Sequence, residues 1–174
     1  MNTAHPIKPY WVDNVNEADE LAVFFTENTD ASYISHSELQ FGLAESPKCW
    51  NPDRPRLIRS EITESITAET AENGPPPTLI FAARHGLELV AMGCVAMHTQ
   101  GPGVPYAVLE DIVISRSMRH AGIGRTVLDW LIREAREAGC HRIFLESGAQ
   151  NHQAHEFFRK QGFTQCSVVM MREL

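Results

Sequence analysis

The stretch from Tyr106 to Gly124 constrains this chain more than any other. It reads as a strand (Tyr106 to Ser115), a short basic turn (Arg116 to Ala121) and the opening of a helix at Gly122-Ile123-Gly124. Arg119-His120-Ala121-Gly122-Ile123-Gly124 therefore sets two glycines and flanking arginines where a strand becomes a helix. Lacking side chains, Gly122 and Gly124 let several backbone N–H groups turn toward one anion at the positive end of the helix. Arg119 and Arg125 add fixed charge. A turn that needs glycine for geometry alone would carry the same letters, so the surroundings must decide.

Those surroundings read as one domain, 1-174, with a helical half (1-74) and a β-rich half (78-174); 174 residues suffice for one real core and not for two. Ile7 to Val12 has strand character, and Asn14 or Asn16 opens a helix through about Glu27 that turns Leu21, Phe24 and Phe25 inward. Ser35 to Ala44 is expected as a second helix, Ser46 to Pro55 as an ordered loop pinned by Trp50, and Arg59 to Glu72 as a third helix closed by Asn73-Gly74. After the prolines, Thr78 to Arg84 and Glu88 to His98 form a hairpin through His85-Gly86, and Val104 to Ser115 extends it into an antiparallel meander. Gly122 to Ala138 is an amphipathic helix with Val127, Leu128, Leu131, Ile132 and Ala135 on one face. Because that crossover is helical, His141 to Glu146 should run parallel to the strand before it. Asn151 caps a short helix carrying Ala154, Phe157 and Phe158, Gly162 ends it, and Phe163 to Arg172 is expected as a closing strand.

The bulk numbers narrow the partners. A net charge of −7 argues against a dedicated nucleic-acid binder and suits an uncharged or cationic small molecule. The N-terminus lacks the apolar run of a signal peptide, and Leu89 to Met97 is too short to span a bilayer, so a cytoplasmic protein without a membrane partner is expected. Cys49, Cys94, Cys140 and Cys166 show no paired spacing and read as buried reduced thiols; His152-x-x-His155 has no further ligand at matching spacing, so no metal is expected.

Three phosphate-binding systems could own the Gly-x-Gly. A nucleotide P-loop needs Gly-Lys-Ser/Thr, but Arg125-Thr126 follows Gly124. A dinucleotide fingerprint needs a third glycine near Val127, which is missing, although Glu146 imitates its acidic residue. Arg119-x-x-Gly122-x-Gly124, preceded by Leu109-Glu110-Asp111-Ile112-Val113-Ile114, instead resembles the cofactor motif of the GNAT acyltransferase superfamily. Asn151-x-x-Ala154-x-x-Phe157-Phe158-x-x-x-Gly162-Phe163 resembles that family's last helix and its Gly-Phe exit. The likeness covers roughly Thr78 to Met171.

The resemblance implies an α/β (α+β) fold: a mixed, mostly antiparallel sheet splayed in its middle and flanked by helices. It implies acetyl-CoA as co-substrate, its pantetheine arm between the Val104 to Ser115 and His141 to Glu146 strands. The backbone of Ile112, Val113 and Ile114 would pair with the arm. Arg119, His120, Ala121, Gly122, Ile123, Gly124 and Arg125 would hold the pyrophosphate, with His120 turned to solvent, and Asn151 and Phe158 would lie near the thiol. A homodimer is among the assemblies such relatives form.

Acetyl transfer to an amine makes two demands. An amine of pKa about 10.4 is protonated at neutral pH, so a base must take its proton. An oxyanion must also meet a donor, for which an unpaired N–H near Val113 is the candidate. Glu110 and Asp111 are the carboxylates in place; on a regular strand they face opposite sides, Glu110 with Ile112 and Ile114, and Glu110 is slightly preferred as base or amine anchor. Many relatives carry tyrosine where this chain has Phe158, and phenylalanine cannot protonate a departing thiolate; Tyr106 or Tyr33 are the substitutes at hand. A thiol of pKa about 8.5 leaves tolerably without an acid. Tyr33, Glu38 and Trp50 are the acceptor-side candidates. The leading reading is an N-acetyltransferase acting on a small primary amine by direct attack in a ternary complex. The alternatives are a non-catalytic acyl-CoA sensor, which Phe158 favours, and an acetylating toxin directed at aminoacyl-tRNA, which the acidity disfavours.

Overall fold

Alternating apolar residues build a sheet covered on both faces. Along β4 (Thr78–His85), Ile80 and Ala82 point into one core and Phe81 and Ala83 into another, and β5 (Glu88–His98) is buried on both sides of its pleat. With β1 (Ile7–Trp11), β6 (Tyr106–Ile114) and β7 (Arg142–Leu145) they form one sheet in the order β1-β4-β5-β6-β7. β1, β4, β5 and β6 pair antiparallel, whereas β7 lies parallel to β6, as a helical crossover requires. This computed structural model describes residues 6–68 and 77–174; the expected Asn73-Gly74 helix end lies outside them.

The first core lies under α1 (Ala18–Asn28) and α3 (Arg54–Thr67), which bury Leu21, Phe24, Phe25, Ile58 and Ile62. The second lies under α4 (Ile123–Glu137) and α5 (His152–Lys160), which bury Val127, Leu128, Leu131, Ala135 and Phe158. Arg84 fastens the first layer: it donates to both carboxylate oxygens of Glu20 and, through Nε, to the Tyr10 hydroxyl at 3.1 Å. Trp11 fastens the second, its indole donating to Glu134 at 3.0 Å while its ring lies 4.8 Å from that of Trp130.

Several expectations are corrected. The second helix is only α2 (His36–Gln40), because Gly42 adopts φ +77 and the chain then enters β2 (Ala44–Ser46). β2 pairs with β3 (Cys49–Trp50), so the expected loop contains a hairpin, and α3 begins at Arg54 with proline in its first turn, ahead of Arg59. No strand forms over Phe163 to Arg172. The segment makes no ladder with the sheet, and Val168, Val169, Met170 and Met171 stand exposed. Of the cysteines, Cys140 is buried and Cys94 partly so, but Cys49 and Cys166 are exposed.

Candidate active site

The site begins where two strands part. β6 and β7 pair from Tyr106 with Arg142 to Leu109 with Leu145, and there the ladder stops. β6 continues to Ile114 against β5 alone, while the chain after Leu145 turns through Glu146, Ser147 and Gly148 toward α5. The opening is lined by Leu109, Glu110 and Ile112 of β6, by Leu145, Glu146 and Ser147, by Tyr33, Ser35 and Glu38, and by Asn151, Ala154 and Phe158.

A bulge decides how the carboxylates stand. Cys94 pairs with Asp111 but Val95 pairs with Leu109, so Glu110 is the extra residue of β6. Leu109, Ile112 and Ile114 pack into the second core and Val113 into the first. Glu110 and Asp111 both turn toward the first, which corrects the expectation that Glu110 shares a side with Ile112 and Ile114. Thr78 Oγ1 donates to Glu110 Oε2 at 3.3 Å. Asp111 is committed on both oxygens: the Tyr33 hydroxyl donates to Oδ1 at 2.6 Å and the Cys94 thiol to Oδ2 at 3.2 Å. Of the pair, Glu110 lines the opening.

The same ladder relocates the donor. Ser115 N–H donates to Val90 O at 2.9 Å, so the alternation of an antiparallel pair turns the Val113 amide toward β5 as well. The amides of Ile112 and Ile114 face the gap instead. The free N–H expected near Val113 thus falls to its neighbours, and Val113 itself contributes a buried side chain.

Around this point lies a field of one sign. Burial first, and then Asp111, raises the Glu38 carboxyl above its usual range, although Ser35 N–H donates to it at 2.6 Å in a capping box. Burial also raises Glu110 and Asp111. Glu61, which no motif singles out, is exposed on α3 yet pushed up to about 7 by partial desolvation and then by Asp111, Glu64, Glu110 and Glu38. Burial, reinforced by Asp111, holds the Tyr33 hydroxyl well above its ordinary pKa, so it is a poor substitute acid. Tyr106 is no better placed: it stacks on His98, with ring centroids 4.5 Å apart, at the paired end of β6. Trp50 does not line the opening; its ring packs 4.2 Å under the Arg54 guanidinium, beside Tyr33 and Phe25.

At the other end of the gap, Gly122 adopts φ +81 and begins α4 with no side chain capping it, leaving the first-turn amides to outside partners. His120, exposed, also lies at positive φ, 67°. Ala121 is exposed, Ile123 buried, and Gly124 lets Phe157 approach: a Cβ there would lie 3.3 Å from its ring. Arg119 donates to the Asn28 carbonyl at 3.0 Å and Arg125 lies 3.6 Å from Asp129, so each keeps donors to spare. Asn151 caps α5 through the Ala154 amide at 3.3 Å, and Phe158 is buried beside it.

One closure spans the opening. His36 Nδ1 lies 2.5 Å from Glu146 Oε2 and its N–H donates to Oε1 at 2.9 Å, which accounts for the acid that imitated a dinucleotide fingerprint. A Cβ at Gly148 would sit 2.4, 2.5 and 2.9 Å from the carbonyls of Ser32, Ile34 and Tyr33, so only glycine lets these loops meet. No sequence motif marks either contact. Among the described residues no group of three His, Cys, Asp or Glu side chains is placed to hold a metal.

Known proteins resemble this chain in sequence and in fold. Residues 40–163, more than half of the chain, match the acetyltransferase (GNAT) family. An IAA acetyltransferase of Azospirillum brasilense is 31% identical over 88 residues, 51% of this chain and 56% of its own length. A probable glucosamine 6-phosphate N-acetyltransferase 2 of Oryza sativa subsp. japonica is 26% identical over 121 residues, 67% of this chain and 70% of its own. The aminoglycoside N-acetyltransferase AAC(6')-Iy, solved with CoA, superposes with a TM-score of 0.70 over 100% of this chain and 98% of its own at 12% identity, a likeness of fold. The parted sheet, the glycine turn and the family match together place this chain in the acetyltransferase (GNAT) family.

Proposed function

We propose that this acetyltransferase moves an acetyl group from acetyl-CoA to a primary amine of a small cationic molecule, by direct attack in a ternary complex. The observation that carries the reading is Glu110 on its bulge beside the β6–β7 opening, open to solvent yet with its carboxyl raised by partial desolvation against the surrounding walls. A raised carboxyl is a stronger base, suited to taking the proton of an incoming ammonium. The nitrogen then attacks the thioester carbonyl, the gap-facing N–H of Ile112 stabilises the oxyanion, and the C–S bond breaks to release CoA. A thiolate whose acid has pKa about 8.5 needs no acid at Phe158.

Support for the donor comes from the turn. Gly122 in its left-handed conformation, the uncapped start of α4 and the spare donors of Arg119 and Arg125 suit a diphosphate, and a thioester arm lying along Ile112 to Ile114 would end near Asn151 and Phe158. Support for a cationic acceptor comes from the acidic field: Asp111 raises both Glu38 and Glu61, Glu110 and Glu38 raise Glu61 further, and an ammonium group would relieve that repulsion. Phe158 favours a second reading, a sensor that binds the coenzyme without turnover.

Thiol release from acetyl-CoA across a panel of monoamines, diamines and amino sugars separates the two. Turnover on cationic amines is expected, with Glu110→Gln lowering kcat by about 10²–10⁴. Tight coenzyme binding with no turnover on any amine would leave the sensor.

A further inference from the structure

The bulge that turns Glu110 out of the ladder brings it to a residue two strands away. β5 lies between β4 and β6, which therefore stand about 10 Å apart, a gap that two side chains cover only when both rise from the same face and nothing tall stands between them. Both conditions hold. Thr78 shares the side of Ile80, which packs into the first core, and the bulge turns Glu110 to that side as well. The residue of β5 opposite Thr78 is Ala96, which rises by one carbon only. Thr78 Oγ1 reaches across and donates to Glu110 Oε2 at 3.3 Å.

The contact lies at the opening itself. Thr78 is half-buried, and Glu110 is exposed where it lines the gap. An exposed glutamate has many rotamers, and a donor on one carboxylate oxygen restricts them while leaving the other oxygen to a ligand. Burial raises the Glu110 carboxyl, and the Thr78 hydroxyl is the foremost of the donors that oppose it, ahead of Cys94. The other ionisable groups about Glu110 are acids: Asp111 beside it on β6, Cys94 on β5, Glu38 on α2, Glu61 on α3, and Tyr33 and Glu146 at the rim. Among the described residues no lysine or arginine pairs with Glu110, so a neutral hydroxyl is the group that holds it.

We propose that Thr78 is a positioning residue: by donating to Oε2 it fixes the Glu110 carboxylate at the opening and leaves Oε1 to take the proton of the incoming ammonium. The inference rests on the acetyl-transfer reading above, in which Glu110 is the base, and adds the group that aims it. Threonine suits the part, because its β-branch is at home in a strand and restricts χ1, so the donor is itself held in place.

The test uses Thr78→Val, which keeps the shape and removes the donor, and Thr78→Ser, which keeps the donor. With an amine that the parent acetylates, Thr78→Val should lower kcat by about ten- to a hundredfold and leave KM for acetyl-CoA within about twofold. It should also move the acid limb of the kcat/KM profile to higher pH, because a hydrogen bond to the charged form of the base is lost. Thr78→Ser should restore kcat and the profile. Titration of the Glu110 carboxyl by carbon-13 NMR, its signal assigned by its absence from Glu110→Gln, should show the same upward move in Thr78→Val with no turnover needed. An unmoved titration, an unchanged kcat, or a serine variant that behaves as the valine one does overturns the proposal. A parent that acetylates no amine, while Thr78→Val still displaces the titration, overturns the acetyl-transfer reading alone: Thr78 then positions Glu110 for a ligand other than a reacting amine.

Discussion

Tyr33 and Cys94 determine what two neighbouring carboxyls can do. By donating to both oxygens of Asp111 they give it a buried structural post, and they leave Glu110 to the opening. Asp111→Ala orphans the Tyr33 hydroxyl and the Cys94 thiol, so it should lower stability by about 1–3 kcal/mol, read as a shift of the urea midpoint. Glu61 gives a pH signature. Partial desolvation and the neighbouring acids push its carboxyl up to about 7, above the ordinary carboxylate range, so across that window the folded protein binds more protons than the unfolded chain. Stability therefore falls as pH rises through that window. Glu61→Gln should flatten the fall, raising Tm above that of the parent at pH values past the window and converging with it below; unchanged curves would remove Glu61 from the acidic field. The motif letters made Glu110 and Asp111 visible as a pair but could not assign them. The bulge that turns both to one face arises from the β5 register and leaves no mark in β6 itself. Glu61 was hidden for another reason: it stands one residue before the buried Ile62 of α3, and nothing in the local sequence marks an acid there as a neighbour of Glu38, Glu110 and Asp111.

At the level of elements, the two segments with the strongest local patterns appear as read. The meander of β4, β5 and β6 follows from alternation and short turns, and α4 from its apolar stripe. Segments whose structure depends on distant partners do not. Ser35 to Ala44 had helical periodicity, but the chain gains more by pairing Ala44 with Trp50 than by extending α2 past Gly42. Gly148 is a related case, since its need for glycine comes from carbonyls more than a hundred residues away in the chain. Gly148→Ala would force that contact apart, at a cost of about 1–3 kcal/mol. Because the displaced loop carries Tyr33 and leads to Glu38, KM for the acceptor should rise while CoA affinity, set at the other end of the gap, changes little. Equal losses in both would mean that the loop supports the whole opening.

At the scale of the whole molecule, the described residues form a sheet between two helical layers, its strands unpaired at one junction. Its family was legible because two motifs far apart in sequence flank that junction, and the family match to residues 40–163 extends further toward the N-terminus than those motifs. The final strand expected over Phe163 to Arg172 does not form, because an apolar run in sequence carries no information on whether a neighbouring strand is there to pair with it. On the proposed function, the parted strands and the glycine turn receive one coenzyme between them. Amide hydrogen exchange with and without CoA tests it most directly. Slowed exchange is expected at Ile112 and Ile114 on β6 and at Ile123 to Arg125, with Val113, already paired to β5, unaffected. Protection confined to other segments, or none at saturating CoA, would contradict it.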